Sequence, residues 1–222
     1  MRLMATGPEP AQRRARAQRQ ALADLLTDLG PGHPTLCTGW TNHDLAAHLV
    51  TRERVPWAAP GLVISSLHGI TERAERATMR AHPYPELVET FRAGPPWWQP
   101  TRLGLIDDAA NFVEFFVHAE DVRRADAGWE PRTLDDTSRD AMWAALRLIG
   151  FAGFRRAGVG VVAERTDRPG RRILHAGEPT VEIMGPPEEL VLYAFGRIEA
   201  ARVELRGADD DVELLRATPV GL

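Results

Sequence analysis

The chain contains no lysine: all 27 of its basic residues are arginine. Lysine Schiff-base and lysine general-base chemistry are thereby excluded. One cysteine, Cys37, stands in 222 residues, which rules out an internal disulfide and a cysteine-rich metal site. Any metal must be held mainly by histidine and carboxylate. A basic excess is missing as well. The 27 arginines face 31 Asp and Glu, a formal charge of −4, which is not the balance of a protein held on phosphates, so no nucleic-acid partner is expected. No apolar run approaches the roughly 18–20 residues of a membrane span. Met1 to Gln20 is Arg-rich without the apolar stretch of a secretory signal, and the expected location is the cytoplasm. What is present is an ordinary globular composition, 44% hydrophobic and 26% charged, long enough for one large domain or two small ones.

Apolar periodicity and punctuation predict helices over Glu9–Leu29, from Thr41 to Arg54, over Gly61–Arg80, Pro85–Arg92, Ile106–Ala125 and Asp135–Phe154. Thr41 and Asp44 have capping-box spacing at the head of the second. Between the fourth and fifth helices, Gly94–Pro100 is too Pro-rich for regular structure and carries the Trp97-Trp98 pair. Those rings either pack a loop or rim a pocket. After Gly158 the pattern changes. Val159–Glu164, Ile173–Leu174, Thr180–Met184 and Arg202–Leu205 read as strands, with helices over Pro186–Arg197 and Asp209–Arg216. The expected class is α+β, with a helical part over 1–155 and a small α+β part over 156–222.

The chemistry concentrates on the Ile106–Ala125 helix. With Glu114 set at zero and a step of about 100° per residue, Asn111 lies near about +60°, His118 near about +40° and Asp121 near about −20°. Phe112, Val113, Phe115, Phe116 and Val117 cover most of the rest. So narrow a polar stripe predicts a helix surrounded on most sides, with the stripe facing an internal cleft. Glu114 and His118, four residues apart, stack on one face and suit one divalent ion. His48, set between Ala46, Ala47 and Leu49, is the candidate third ligand. Two histidines and one glutamate would leave a coordination position open, as in catalytic zinc sites.

On spacing alone, Glu114 and His118 fit a solvated or plain hydrogen-bonded pair better than they fit ligands, and His48 better fits a satisfied core histidine. Asp121 either orients His118 from behind or pairs with Arg124. Cys37 reads as a small loop or core residue, because no histidine at a diagnostic spacing supports a nucleophile. The Arg13–Arg19 cluster reads as a solvated helix face.

The run Gly39-Trp40-Thr41-Asn42-His43-Asp44-Leu45-Ala46-Ala47-His48-Leu49, followed by Glu114-Phe115-Phe116-Val117-His118-Ala119-Glu120-Asp121-Val122, resembles the mycothiol-dependent maleylpyruvate isomerase family. Leu190 to Arg197 resembles the same family's apolar stretch ending in Gly-Arg. The resemblance implies a DinB-like metal-binding four-helix bundle joined to a small C-terminal α+β domain. It also implies His48, Glu114 and His118 as zinc ligands, and Arg197 as an active-site arginine. The nearest branch is an actinobacterial set of metal-binding proteins with His-His-Glu-Asp where this chain has His118-Ala119-Glu120-Asp121, a departure that leaves the three ligands intact. The function it implies is a zinc-dependent thiol transferase or isomerase that uses mycothiol as cosubstrate on a small electrophile. Two other readings stay open beside it: a metal-dependent hydrolase, and a non-catalytic binder of a metal or small molecule.

Overall fold

The computed structural model describes residues 11–55, 68–95 and 105–221. The Trp97-Trp98 loop and the first seven residues of the predicted Gly61–Arg80 helix lie outside them. The described residues form an α+β protein of eight helices and one four-stranded sheet. They divide into two compact units, one ending at Glu130 and one beginning at Pro131.

The first unit is helical: α1 (Ala11–Leu29), α2 (Asn42–Arg54), α3 (His68–Ala81), α4 (Tyr84–Ala93) and α5 (Leu105–Arg123). Helix α1 packs along α5 and against α4, and α2 packs on α3 and α4. Leu22, Leu26, Leu45, Leu49, Leu87, Phe91, Phe115 and Val122 build the core between them. Each such side chain taken fully from water contributes about 1.5–3 kcal/mol. The start of α2 is set as the spacing predicts, with the Thr41 N–H donating to the Asp44 carboxylate at 2.9 Å. From there, seven consecutive residues, Leu45 to Thr51, are buried. Beyond them on α2, the buried Glu53 receives the Arg19 guanidinium, whose flat face lies 4.8 Å and 4.6 Å from the Phe91 and Phe115 ring centres. Arg19, in the cluster expected to be solvated, is thus a core residue, because cation–π contact and a bidentate carboxylate together satisfy its charge.

The second unit holds α6 (Asp136–Gly153), β1 (Gly160–Arg165), β2 (Arg171–His175), β3 (Thr180–Gly185), α7 (Pro187–Ala194), β4 (Glu204–Arg206) and α8 (Asp209–Ala217). The strand order is β2-β1-β3-β4, with β1 and β3 parallel and the outer pairs antiparallel. Helix α6 packs on α7 and β2. Two glycines allow the approach: a Cβ on Gly150 would stand 2.7 Å from Leu174 Cδ2, and one on Gly153 2.3 Å from the Ala194 carbonyl. Helix α7 ends three residues before the predicted Arg197, because Gly196 takes a positive φ of 85°. There the Arg197 N–H donates to the Leu192 carbonyl and the Gly196 N–H to the Tyr193 carbonyl, the two bonds of a Schellman ending. The Gly-Arg pair is therefore a helix stop as well as a place for Arg197. No helix among the described residues is long and apolar enough to cross a membrane.

Candidate metal centre

Helix α5 is enclosed as its narrow polar stripe predicts. From Asn111 to Val122 every residue is buried except Glu114. The adjoining helix α2 is buried nearly all round over the same stretch that carries His48. His48 on α2 and Glu114 on α5 face each other across the space between these helices.

The three residues meet. His118 Nε2 lies 3.5 Å and His48 Nε2 3.9 Å from Glu114 Oε1, and one ligand atom from each residue falls within 4.8 Å of the others. Neighbouring donor atoms in a tetrahedral zinc site with bonds of about 2.0–2.1 Å stand about 3.3 Å apart. The present triangle is wider than that by less than about 1.5 Å, so side-chain adjustments of a few tenths of an ångström per ligand close it around one ion.

The far side of each imidazole is occupied. His118 Nδ1 is 3.0 Å from Asp121 Oδ2, and His48 Nδ1 is 2.7 Å from Glu75 Oε1 on α3. A carboxylate acceptor at Nδ1 holds a proton there and turns Nε2 toward Glu114. That is the arrangement in which an outer carboxylate orients a metal-binding histidine. Asp121, for which orienting His118 and pairing with Arg124 were the alternatives, does meet the His118 ring. Arg124 meets Glu120 at 2.6 Å, with both side chains fully buried and the guanidinium 4.3 Å from the Trp129 ring centre. Ala119 belongs to the apolar core, so the departure from His-His-Glu-Asp falls away from the polar stripe.

Electrostatics follow from this packing. Burial pushes the Glu114 carboxyl up, but the His118 and His48 rings and the Arg52 charge outweigh it and hold the group well below the usual carboxylate range. Burial likewise pushes His118 down, and Asp121, Cys37 and Glu114 outweigh it, raising the ring well above an ordinary histidine. Without a metal, a proton on His118 balances the surrounding acids.

Four neighbours were not among the site residues expected from sequence. Glu75 lies on a stripe of α3 with Thr71, Ala74 and Thr78, residues three or four apart; only that periodicity marks the face toward α2, where Thr51 donates to Thr78 at 2.9 Å. Arg52, one turn after His48, has its Nε 3.4 Å from Glu114 Oε1 and donates from Nη1 to Asn111 Oδ1 at 2.8 Å. The Trp40 ring stands 5.1 Å from the His48 ring. The Cys37 thiol donates to Asp121 Oδ2 at 3.4 Å, in a loop tied to α5 by the Leu36 N–H on the Asp121 carbonyl. Cys37, His118 and Asp121 form a second close trio, but it shares His118 with the first and uses the ring edge that Asp121 already holds. Arg197 belongs to the second unit, where its Nη1 donates to the Phe195 carbonyl at 2.7 Å.

No protein-family profile and no curated protein matches the sequence. Among solved structures the fold is similar to that of a mycothiol-dependent maleylpyruvate isomerase, with a TM-score of 0.60 and 17% identity over 90% of this chain and 92% of that one. A histidine-to-alanine variant of such an isomerase matches with a TM-score of 0.59 and 16% identity over the same shares. At that identity, what the chain has in common with these enzymes is a fold spanning nearly the whole of both.

Proposed function

We propose that this chain is a zinc-dependent enzyme that uses a small thiol, mycothiol, to isomerise or transfer to a small electrophile, with His48, Glu114 and His118 holding the metal. The observation that carries the reading is the pair of imidazoles turned to one carboxylate by carboxylates behind them. Each ring has its Nδ1 against an acid of its own, so that both Nε2 atoms are left to a single carboxylate. Two nitrogens and one oxygen suit zinc and leave a position open. The chemistry a bound zinc supplies is to hold a thiol as thiolate at neutral pH, where a free thiol with a pKa of about 8.5 is mostly protonated.

The chain's own residues do the rest. Asp121 and Glu75 keep the rings in the ligating tautomer. The apolar walls of α2 and α5 keep water from the buried side. Arg197 retains the active-site part that the sequence resemblance implies, and the helical part is read as the DinB-like four-helix bundle of that family. The similarity in fold to enzymes named for mycothiol and maleylpyruvate supports the choice of thiol and of electrophile class.

Elemental analysis of protein purified without chelator tests the metal, with about one zinc per chain expected and less than a tenth of that in His48→Ala. Isomerisation of maleylpyruvate by the zinc-loaded chain is then expected only when mycothiol is added. Ester or amide hydrolysis without thiol would replace this reading by a hydrolase, and a chain that takes up no divalent ion would remove it.

A further inference from the structure

The three proposed ligands are unevenly enclosed. The side chains of His48 and His118 are each 10% exposed, whereas those of Glu114 and Arg52 are 25% and 19% exposed. The open side of the centre is therefore the side on which Arg52 lies. Among the described residues Arg52 is the one arginine within ion-pair distance of any of the three ligands.

Its guanidinium is fixed more closely by Asn111 than by Glu114. At 3.4 Å the Nε contact is a loose ion pair, while the hydrogen bond that fixes the group runs from Nη1 to Asn111, one turn before Glu114 on α5. Nη2 has no hydrogen-bond partner among the described residues. The same oxygen, Glu114 Oε1, is also the one both histidines face. A divalent ion placed among the three takes that oxygen's charge, and Arg52 keeps its position through Asn111 while losing its counter-ion. A planar cation left in this state, partly buried and with its Nη2 unbonded among the described residues, fits a carboxylate or another oxyanion.

We propose that Arg52, oriented by Asn111, forms an oxyanion subsite on the open side of the metal position, so that the ligand received there carries a negative oxyanion group close to its reacting end. This rests on the metal reading above and narrows it to anionic thiols or anionic electrophiles. Arg52 is a binding residue in this scheme, and the subsite selects by charge.

Two thiols of equal reach separate charge from metal affinity: 2-mercaptoethanesulfonate, whose sulfonate is a poor zinc ligand, and neutral 2-mercaptoethanol. Titration calorimetry of the zinc-loaded chain with each is expected to show the sulfonate thiol binding at least about tenfold tighter, in the range of a charge-assisted hydrogen bond. Arg52→Gln should bring the two within about twofold while leaving the mercaptoethanol affinity nearly unchanged. Asn111→Asp, close to isosteric, should give the same loss by occupying the guanidinium with a fixed carboxylate. Zinc content measured on the same samples keeps the failures apart. No zinc in the wild type removes the metal reading and the subsite with it. A fully loaded chain whose preference is absent, or survives both substitutions, removes the subsite alone.

Discussion

Helices α5 and α7 are both buried on nearly every side and both carry buried acids, yet they use them differently. In α7 the carboxylates meet partners within their own unit: Glu189 accepts the Arg202 N–H at 2.8 Å, and Glu188 accepts from Arg139 at 3.2 Å through one oxygen, its other being buried without a hydrogen-bond partner. Burial is the leading cause that raises the Glu188 pKa, as expected of a group placed for packing. In α5 the charges are arranged outward from one point. Asp121 sits behind His118, Glu75 behind His48, and Glu114 in front of both. What separates a structural buried charge from a functional one is direction. The first ends at its partner, and the second holds its partner's remaining lone pair toward a common space.

The largest expected effect tests the structural half of α5. Glu120→Ala would leave Arg124 buried without its counter-ion and cost about 3–5 kcal/mol, read by urea unfolding. If stability is unchanged, the 120–124 pair is no different in kind from a surface pair.

Next come the two carboxylates behind the rings. Asp121→Asn and Glu75→Gln should each weaken zinc affinity by about 10- to 100-fold, measured by chelator competition, with little change in unfolding free energy. Since His118 titrates well above the ordinary histidine value without metal, zinc must displace its proton. Affinity in the wild type should therefore rise with pH up to that raised value, by up to about tenfold per unit. Asp121→Asn should flatten the dependence, because Asp121 is the first of the groups that raise the ring. Equal effects of both substitutions on affinity, and of neither on stability, would sharpen the contrast with α7.

The smallest effect is on the α7 side. Glu188 is raised in the folded state, so folding binds its proton more tightly. Its burial therefore costs nothing below the ordinary carboxylate pKa and increasingly more as pH climbs through the raised value. Glu188→Gln should thus change stability by no more than about 1 kcal/mol at pH 7, gaining on the wild type as pH rises from 4 to 7 in thermal melts. A metal content altered by this substitution would blur the distinction between the two helices.

Much of this was legible in the residues. The narrow stripe over 111–118 of α5 foretold its enclosure, because polar residues confined there to less than a quarter of the circumference leave no face for water. Thr41 and Asp44 announced the head of α2, and with it the placement of His48. The Schellman ending at Gly196 was not foreseen, since an apolar run looks the same to its last residue whether or not the next carbonyls are capped from beyond it. Helix α6 was read with the helical part, whereas it packs on the small sheet; glycines at 150 and 153, which allow that approach, look from sequence like weak helix formers. Glu75 and Arg52 escaped because each acts across a helix interface. Periodicity describes one helix at a time, and their partners stand 27 and 59 residues away.

The stretch from His118 to Arg124 interleaves two kinds of work at single-residue spacing, with Glu120 and Arg124 for the core and His118 and Asp121 for the centre. A one-residue insertion there would rotate both sets by about 100° at once, so neither could be re-registered while the other was kept. Room for change in what such a protein accepts lies instead at the rim, where Arg52 and Asn111 sit one turn from the ligands. Lineages built on this helix would diversify by substitution at its open edge and not by shifts in its length.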